Sequence, residues 1–202
     1  MSGVDLDEGR PRRAALHHVN LKTLRLGELI DWYGQVLGMT PNFQFPGGAF
    51  LTNDDANHRI ALISLPDFKD DEGKLHHTGM HHSAFEFATL DDLLATYLRL
   101  KGGGIVPCGC LDHGLTTSFY YADPDENCVE LQVDNYGDWA QSTEFIRTDP
   151  RFAEDPIGKP VDPDAIVAAR RAGATPQEIH ERAYAGEWPP TGAFDLRLPL
   201  PG

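Results

Sequence analysis

The sequence predicts an α+β fold: two tandem βαβββ modules forming a mixed sheet curled around a cavity, with a C-terminal helical tail. Three observations predict it. A shift of 64 positions places His18 on His82, Tyr33 on Tyr97 and Gly38 on Gly102, inside matching strand-then-helix patterns. Each helix pattern is followed by short runs of strand character. After Asp149 the chain becomes Pro-rich and carries two short helix signals.

Residues 16–21 read as the first strand. An amphipathic helix follows, with Leu26, Leu29, Ile30, Tyr33 and Leu37 on one face and Gly38 as its stop. Strand-like pieces at 49–52 and 59–65 complete the first module, about 14–66. Residues 80–87 open the second module, about 78–136. Thr89 can cap its helix, which bears Leu90, Leu93, Leu94, Tyr97 and Leu98 and ends at Gly102. Strands are expected at 105–106, 117–122 and 128–133, the last two joined by the turn Asp123-Pro124-Asp125-Glu126-Asn127. One short strand per module stays open. The two modules make one domain, 1–148, and residues 149–202 form an arm packing on the core or on a neighbouring subunit. Asp162-Pro163 starts one arm helix. Thr175-Pro176-Gln177-Glu178 has capping-box spacing and starts the other. The end of the chain, 195–202, reads as irregular.

A formal charge of −14 argues against nucleic acid and anionic membrane as partners, since both call for a basic surface. No apolar run approaches the ~18 to 20 residues of a membrane span. The polar stretch Met1 to Arg13 lacks the apolar centre of a signal peptide. Cys108, Cys110 and Cys128 are an odd set, which points to a reducing cytoplasm. They read as small core or loop residues.

Strand alternation puts His18 and Asn20 on one face, and His82, Ala84 and Glu86 on one face. The duplication gives His18 and His82 equivalent places, and a pseudo-twofold brings equivalent strands together. Glu130 lies on the last strand, where a carboxylate facing a cavity is costly unless paired or metal-bound. Two histidines and one carboxylate form a donor set that suits non-heme Fe(II) and leaves positions open. A shift of 69 positions places Ala61 where Glu130 stands, so a fourth ligand is missing. A lone strand histidine is more often structural; the repeated placement favours the metal site. Phe43, Phe45, Phe50 and Trp139 are candidate pocket residues, although aromatic side chains more often fill a core.

Across residues 16–133 the chain resembles the vicinal oxygen chelate proteins, and within them the one-domain type I extradiol dioxygenases. Five stretches carry the resemblance: Leu16-His17-His18-Val19-Asn20, Met80-His81-His82-Ser83-Ala84-Phe85, Cys128-Val129-Glu130-Leu131, His58-Arg59-Ile60-Ala61-Leu62, and His113-Gly114-Leu115-Thr116 together with Phe119-Tyr120. The resemblance implies Fe(II), with Mn(II) as the alternative ion, bound by His18, His82 and Glu130. It implies His58 as the acid–base residue, with His77 as a rival in a longer loop. It implies His113 and Tyr120 as catalytic hydrogen-bonding partners of the substrate, with Tyr121 adjacent. Asn20, beside His18 on the same face, is a candidate substrate contact. The implied activity is cleavage of a catechol-type diol by O2. The tail helices suggest subunit contact, with a symmetric homo-oligomer as the default. The rival readings are a glyoxalase- or epimerase-type metalloenzyme, which Ala61 disfavours, and a non-catalytic small-molecule binding protein of the same fold. Arg59 departs from the family, where an acidic residue is common.

Overall fold

The computed structural model describes residues 13–199. The N-terminal expectation for 1–12 and the irregular end at 200–202 lie outside the described residues. The first module runs β1 (Val19–Lys22), α1 (Leu26–Leu37), β2 (Thr40–Phe45), β3 (Gly48–Thr52) and β4 (Ile60–Ile63). The second runs β5 (His82–Phe87), α2 (Leu90–Gly102), β6 (Gly109–Asp112), β7 (Thr116–Ala122) and β8 (Cys128–Asp134). The strand orders are β1-β4-β3-β2 and β5-β8-β7-β6, so the two modules share one topology. In both, the first strand lies parallel to the last, and the remaining pairs are antiparallel.

The helices form where the apolar spacing placed them. α1 buries Leu29, Trp32, Tyr33 and Val36 against the sheet. It ends at Gly38, whose φ of 66° is left-handed and costs glycine little. Thr89 caps α2 by accepting a hydrogen bond from the Asp92 N–H. Both helices pack into one shared core with Leu51, Ile60 and Leu62 of the first module and Phe119, Val129 and Leu131 of the second.

The mixed strands lie in two sheets, one per module, because β1 and β5 each pair on one side only. One expectation needs correction. Residues 105–106 are loop; the strand there is β6, Gly109–Asp112, buried along its whole length and therefore without an alternating pattern. The strand before β3 is β2, an edge strand with Pro41 and a register shift between Pro41 and Phe43.

The arm carries more structure than two helices. α3 (Trp139–Thr148) and the short α4 (Pro150–Glu154) precede it or open it. β9 (Lys159–Pro160) then adds to the free edge of β6. α5 (Pro163–Arg171) and α6 (Pro176–Tyr184) start where the sequence placed them, and the Thr175–Glu178 capping box is complete. Ile166, Val167, Ile179 and Ala183 bury into the shared core, so the arm packs on its own chain. Full burial of such a side chain contributes roughly 1.5 to 3 kcal/mol. Among the described residues, no helix is long and apolar enough to cross a membrane.

Candidate metal centre

The registers put the predicted donors in equivalent places. Asn20 pairs with Ala61 across β1 and β4, and Ala84 pairs with Glu130 across β5 and β8. Ala61 is therefore the structural counterpart of Glu130. On the other side of β8, Tyr120 stands directly opposite Glu130. Alternation sends Val129 and Leu131 into the core and leaves Glu130 on the other face.

Glu130 is 5% exposed and Tyr120 4%. His82 Nε2 lies 3.0 Å from Glu130 Oε2. Tyr120 Oη lies 2.9 Å from Glu130 Oε1 and 2.7 Å from His113 Nε2. His82, Glu130, Tyr120 and His113 thus form one hydrogen-bonded line. Burial pushes the Glu130 carboxyl up, but hydrogen bonds from His82, Ser118 and Tyr120 outweigh it, and the net shift is downward. The group stays an anion, as a ligand must. Burial, together with the Glu130 charge, raises the Tyr120 hydroxyl, so it remains a proton donor.

His113 Nδ1 lies 2.6 Å from the Ile157 carbonyl of the arm. A carbonyl only accepts, so Nδ1 carries a hydrogen, while Tyr120 gives its one proton to Glu130 and keeps its oxygen against His113 Nε2. Gly158 makes this approach feasible: a Cβ there would lie 2.1 Å from the Asp112 carbonyl oxygen, and its φ is +84°. Beneath His113, Asp112 is fully buried and pairs with His180 of α6 at 2.8 Å.

His18 lies with His17 and His58. One ligand atom from each falls within a 4.8 Å group, which is the only such group among the described residues. The His18 and His58 ring centroids are 4.3 Å apart, and Phe50 stacks on His58 at 4.7 Å. Burial first, then the neighbouring His18 and His17, hold the His58 ring below its ordinary pKa. His18 and His82 border one cavity of about 840 Å³ between the modules, walled by Val19, Val36, Ile60 and Phe85. The predicted ligands therefore stand as two clusters, His18 with His58 and His82 with Glu130, and His18 and His82 are the members that line the cavity. Their chemistry fits a divalent ion: two imidazoles and an ionised carboxylate, with His82 Nε2 and Glu130 Oε2 already converging.

The remaining candidates separate. His77 pairs with Asp71 in an exposed loop, away from His18, whereas His58 lies against it. Tyr121 packs into the core, so Tyr120 is the tyrosine on the Glu130 face. Asn20 borders a second cavity lined by Lys22, Arg25 and Asp125. Phe43 and Phe45 cluster with Phe50, while Trp139 is 70% exposed and donates to Glu86. The cysteines are free, and burial raises the Cys128 thiol to about 12. Sequence reasoning missed His81, Asp112, His180 and the Ile157 carbonyl.

A pair of βαβββ sheets whose Glu130 face carries histidine, carboxylate and tyrosine groups defines a repeat-built small-molecule site. The chain belongs to the Glyoxalase/Bleomycin resistance protein/Dioxygenase superfamily, whose pattern matches residues 15–131. It is 39% identical over 170 residues to biphenyl-2,3-diol 1,2-dioxygenase 3 of Rhodococcus globerulus, covering 84% of this chain and 89% of that one. It is 39% identical over 183 residues to biphenyl-2,3-diol 1,2-dioxygenase 2 of the same organism, covering 91% and 93%. That second alignment is longer than residues 1–148, so it reaches into the arm. The solved glyoxylase/bleomycin resistance protein/dioxygenase domain from Frankia sp. EAN1pec shares the fold at TM-score 0.52 and 17% identity, covering 61% of this chain and 93% of that one.

Proposed function

We propose that this protein is an extradiol dioxygenase that opens a catechol-type ring beside its diol, with 2,3-dihydroxybiphenyl-like compounds as the substrate class. The observation that carries the reading is the line His82–Glu130–Tyr120–His113, in a chain 39% identical to two biphenyl-2,3-diol 1,2-dioxygenases. His18, His82 and Glu130 would hold Fe(II), or Mn(II) as the alternative. When bound, the ion supplies a Lewis-acid and redox centre with open positions where a diol and O2 meet.

The chain's own residues supply the rest. Tyr120 offers a hydroxyl proton to an oxygen that gains negative charge during reaction. His113, fixed by the Ile157 carbonyl, holds Tyr120 in place from its far side. His58, with its pKa lowered, is neutral near pH 7 and can take and return a proton. The apolar walls at Val19, Val36, Ile60 and Phe85 suit an aromatic ring better than a polyanion. The reading includes a cytoplasmic location, drawn from the free cysteines, and a homo-oligomer to be measured by light scattering.

The test loads the protein anaerobically with Fe(II) and adds 2,3-dihydroxybiphenyl or catechol. A yellow semialdehyde-type product with O2 uptake is expected. Absence of uptake across a panel of vicinal diols, at full iron content, overturns the proposal.

A further inference from the structure

We propose that His81 is the positioning residue for His82, and that the C-terminal arm in turn sets His81 through the Leu196 carbonyl. The inference rests on reading His82 as a metal ligand.

With an ion bound, the geometry gives each ring a defined tautomer. His81 Nε2 lies 2.8 Å from the Leu196 carbonyl oxygen. That oxygen only accepts, so His81 Nε2 carries a hydrogen, and His81 Nδ1 lies 2.7 Å from His82 Nδ1. Without metal, His82 Nε2 faces the Glu130 carboxylate at 3.0 Å and donates to it. An ion on Nε2 takes the place of that proton, so the ligand ring then keeps its hydrogen on Nδ1, where His81 Nδ1 accepts it. A ligating histidine is commonly fixed this way, by a partner on its other ring nitrogen.

The carbonyl is itself held. The Asp195 N–H donates to the Cys108 carbonyl at 2.9 Å, and Arg197 pairs with Glu126. The Leu196 side chain is buried among Leu111, Tyr120 and Cys128, with Phe194 beside it. Gly109 admits this segment: a Cβ there would meet Phe194 at 3.2 Å and Leu196 at 3.3 Å. The first module repeats the histidine pair, with His17 Nδ1 at 3.2 Å from His18 Nδ1. Among the described residues, His17 has no carbonyl partner of this kind; its ring packs on His58 instead. The duplication kept the pair, and the arm anchors one copy of it.

The test measures Fe(II) binding to the metal-free protein by anaerobic equilibrium dialysis. His81→Phe keeps a ring but removes both hydrogen bonds, and Fe(II) affinity should fall about 10- to 100-fold. His81→Gln keeps an acceptor and a donor, and should recover most of that loss. Gly109→Val pushes the 194–196 segment off the sheet and should weaken binding in the same way. Combined with His81→Phe it should add nothing, because both break one chain of contacts. His17→Phe should change affinity far less. Wild-type affinity in His81→Phe, or full additivity with Gly109→Val, overturns the proposal. If His81→Phe lowers the unfolding temperature of the metal-free protein, His81→Gln decides: a tenfold or greater loss there overturns it as well. Failure of the dioxygenase reading looks different: iron affinity follows His81 while no diol is cleaved.

Discussion

The Tyr120 hydroxyl, almost closed to water, gives its one proton to Glu130 and holds its oxygen against His113 Nε2. Tyr120→Phe removes that proton and leaves both partners short of a bond. Turnover should fall by about 10²-fold, as when a single transition-state donor is deleted. Fe(II) content should stay at the wild-type level, since no donor atom is lost, and steady-state kinetics beside metal analysis separates the two. Gly158→Ala should act on the same line from behind. Its Cβ would collide with the backbone at Asp112 and His113, moving the Ile157 carbonyl that orients His113. Strain of this kind costs about 1 to 3 kcal/mol, read as a lower urea midpoint together with reduced kcat/KM. His82 and Glu130 were legible in the sequence because strand alternation sets them apart from the large apolar residues of their strands, whereas Tyr120 was legible only through the family resemblance, with Tyr121 beside it. Ile157 and Leu196 were not, because each acts through a backbone carbonyl, which every residue carries. The Asp112–His180 pair was hidden for a related reason: its partners meet only once α6 has docked.

Helices α1, α2, α5 and α6 were legible because their signals are local: apolar spacing, a capping side chain, a stop glycine. β2 and β6 were not, one broken by proline and the other buried on both faces. The docking of α5 on α2 joins apolar burial to two ion pairs, Arg170 with Asp91 and Lys101 with Asp164. The hydrogen bond from Arg170 holds Asp91 below its ordinary value of 3.8, and Lys101, then Tyr97, do the same for Asp164. A depressed folded-state pKa means the contribution is present above the unfolded value and lost as pH falls through the folded one. Acidification below 3.8 should therefore loosen α5 before the sheets. Hydrogen exchange of α5 amides should rise at low pH in the wild type. The doubly substituted Asp91→Asn, Asp164→Asn protein should show raised exchange already at neutral pH, with little further change on acidification. Both pairs face solvent, so the effect should shrink in high salt.

The whole molecule is two copies of one βαβββ unit sharing a core, with no strand pairing between β1 and β5. The cavity between these edges holds His18 from one copy and His82 from the other. An ion bound by both, with Glu130, would tie the sheets where backbone hydrogen bonds do not. Binding to the folded state alone raises stability by about 2.7 kcal/mol when free metal stands at 100 times its Kd. Chelation should therefore lower the unfolding temperature, and His18→Ala should abolish most of that difference. The location of the effect is the sharper test. Removal of metal should raise hydrogen exchange in β1 as well as in β5 and β8, because the tie spans both modules. Exchange that rises in β5 and β8 while β1 stays unchanged would mean that the ion sits on the His82–Glu130 side alone. His18 would then belong with His17 and His58 as a separate imidazole cluster rather than as the third ligand.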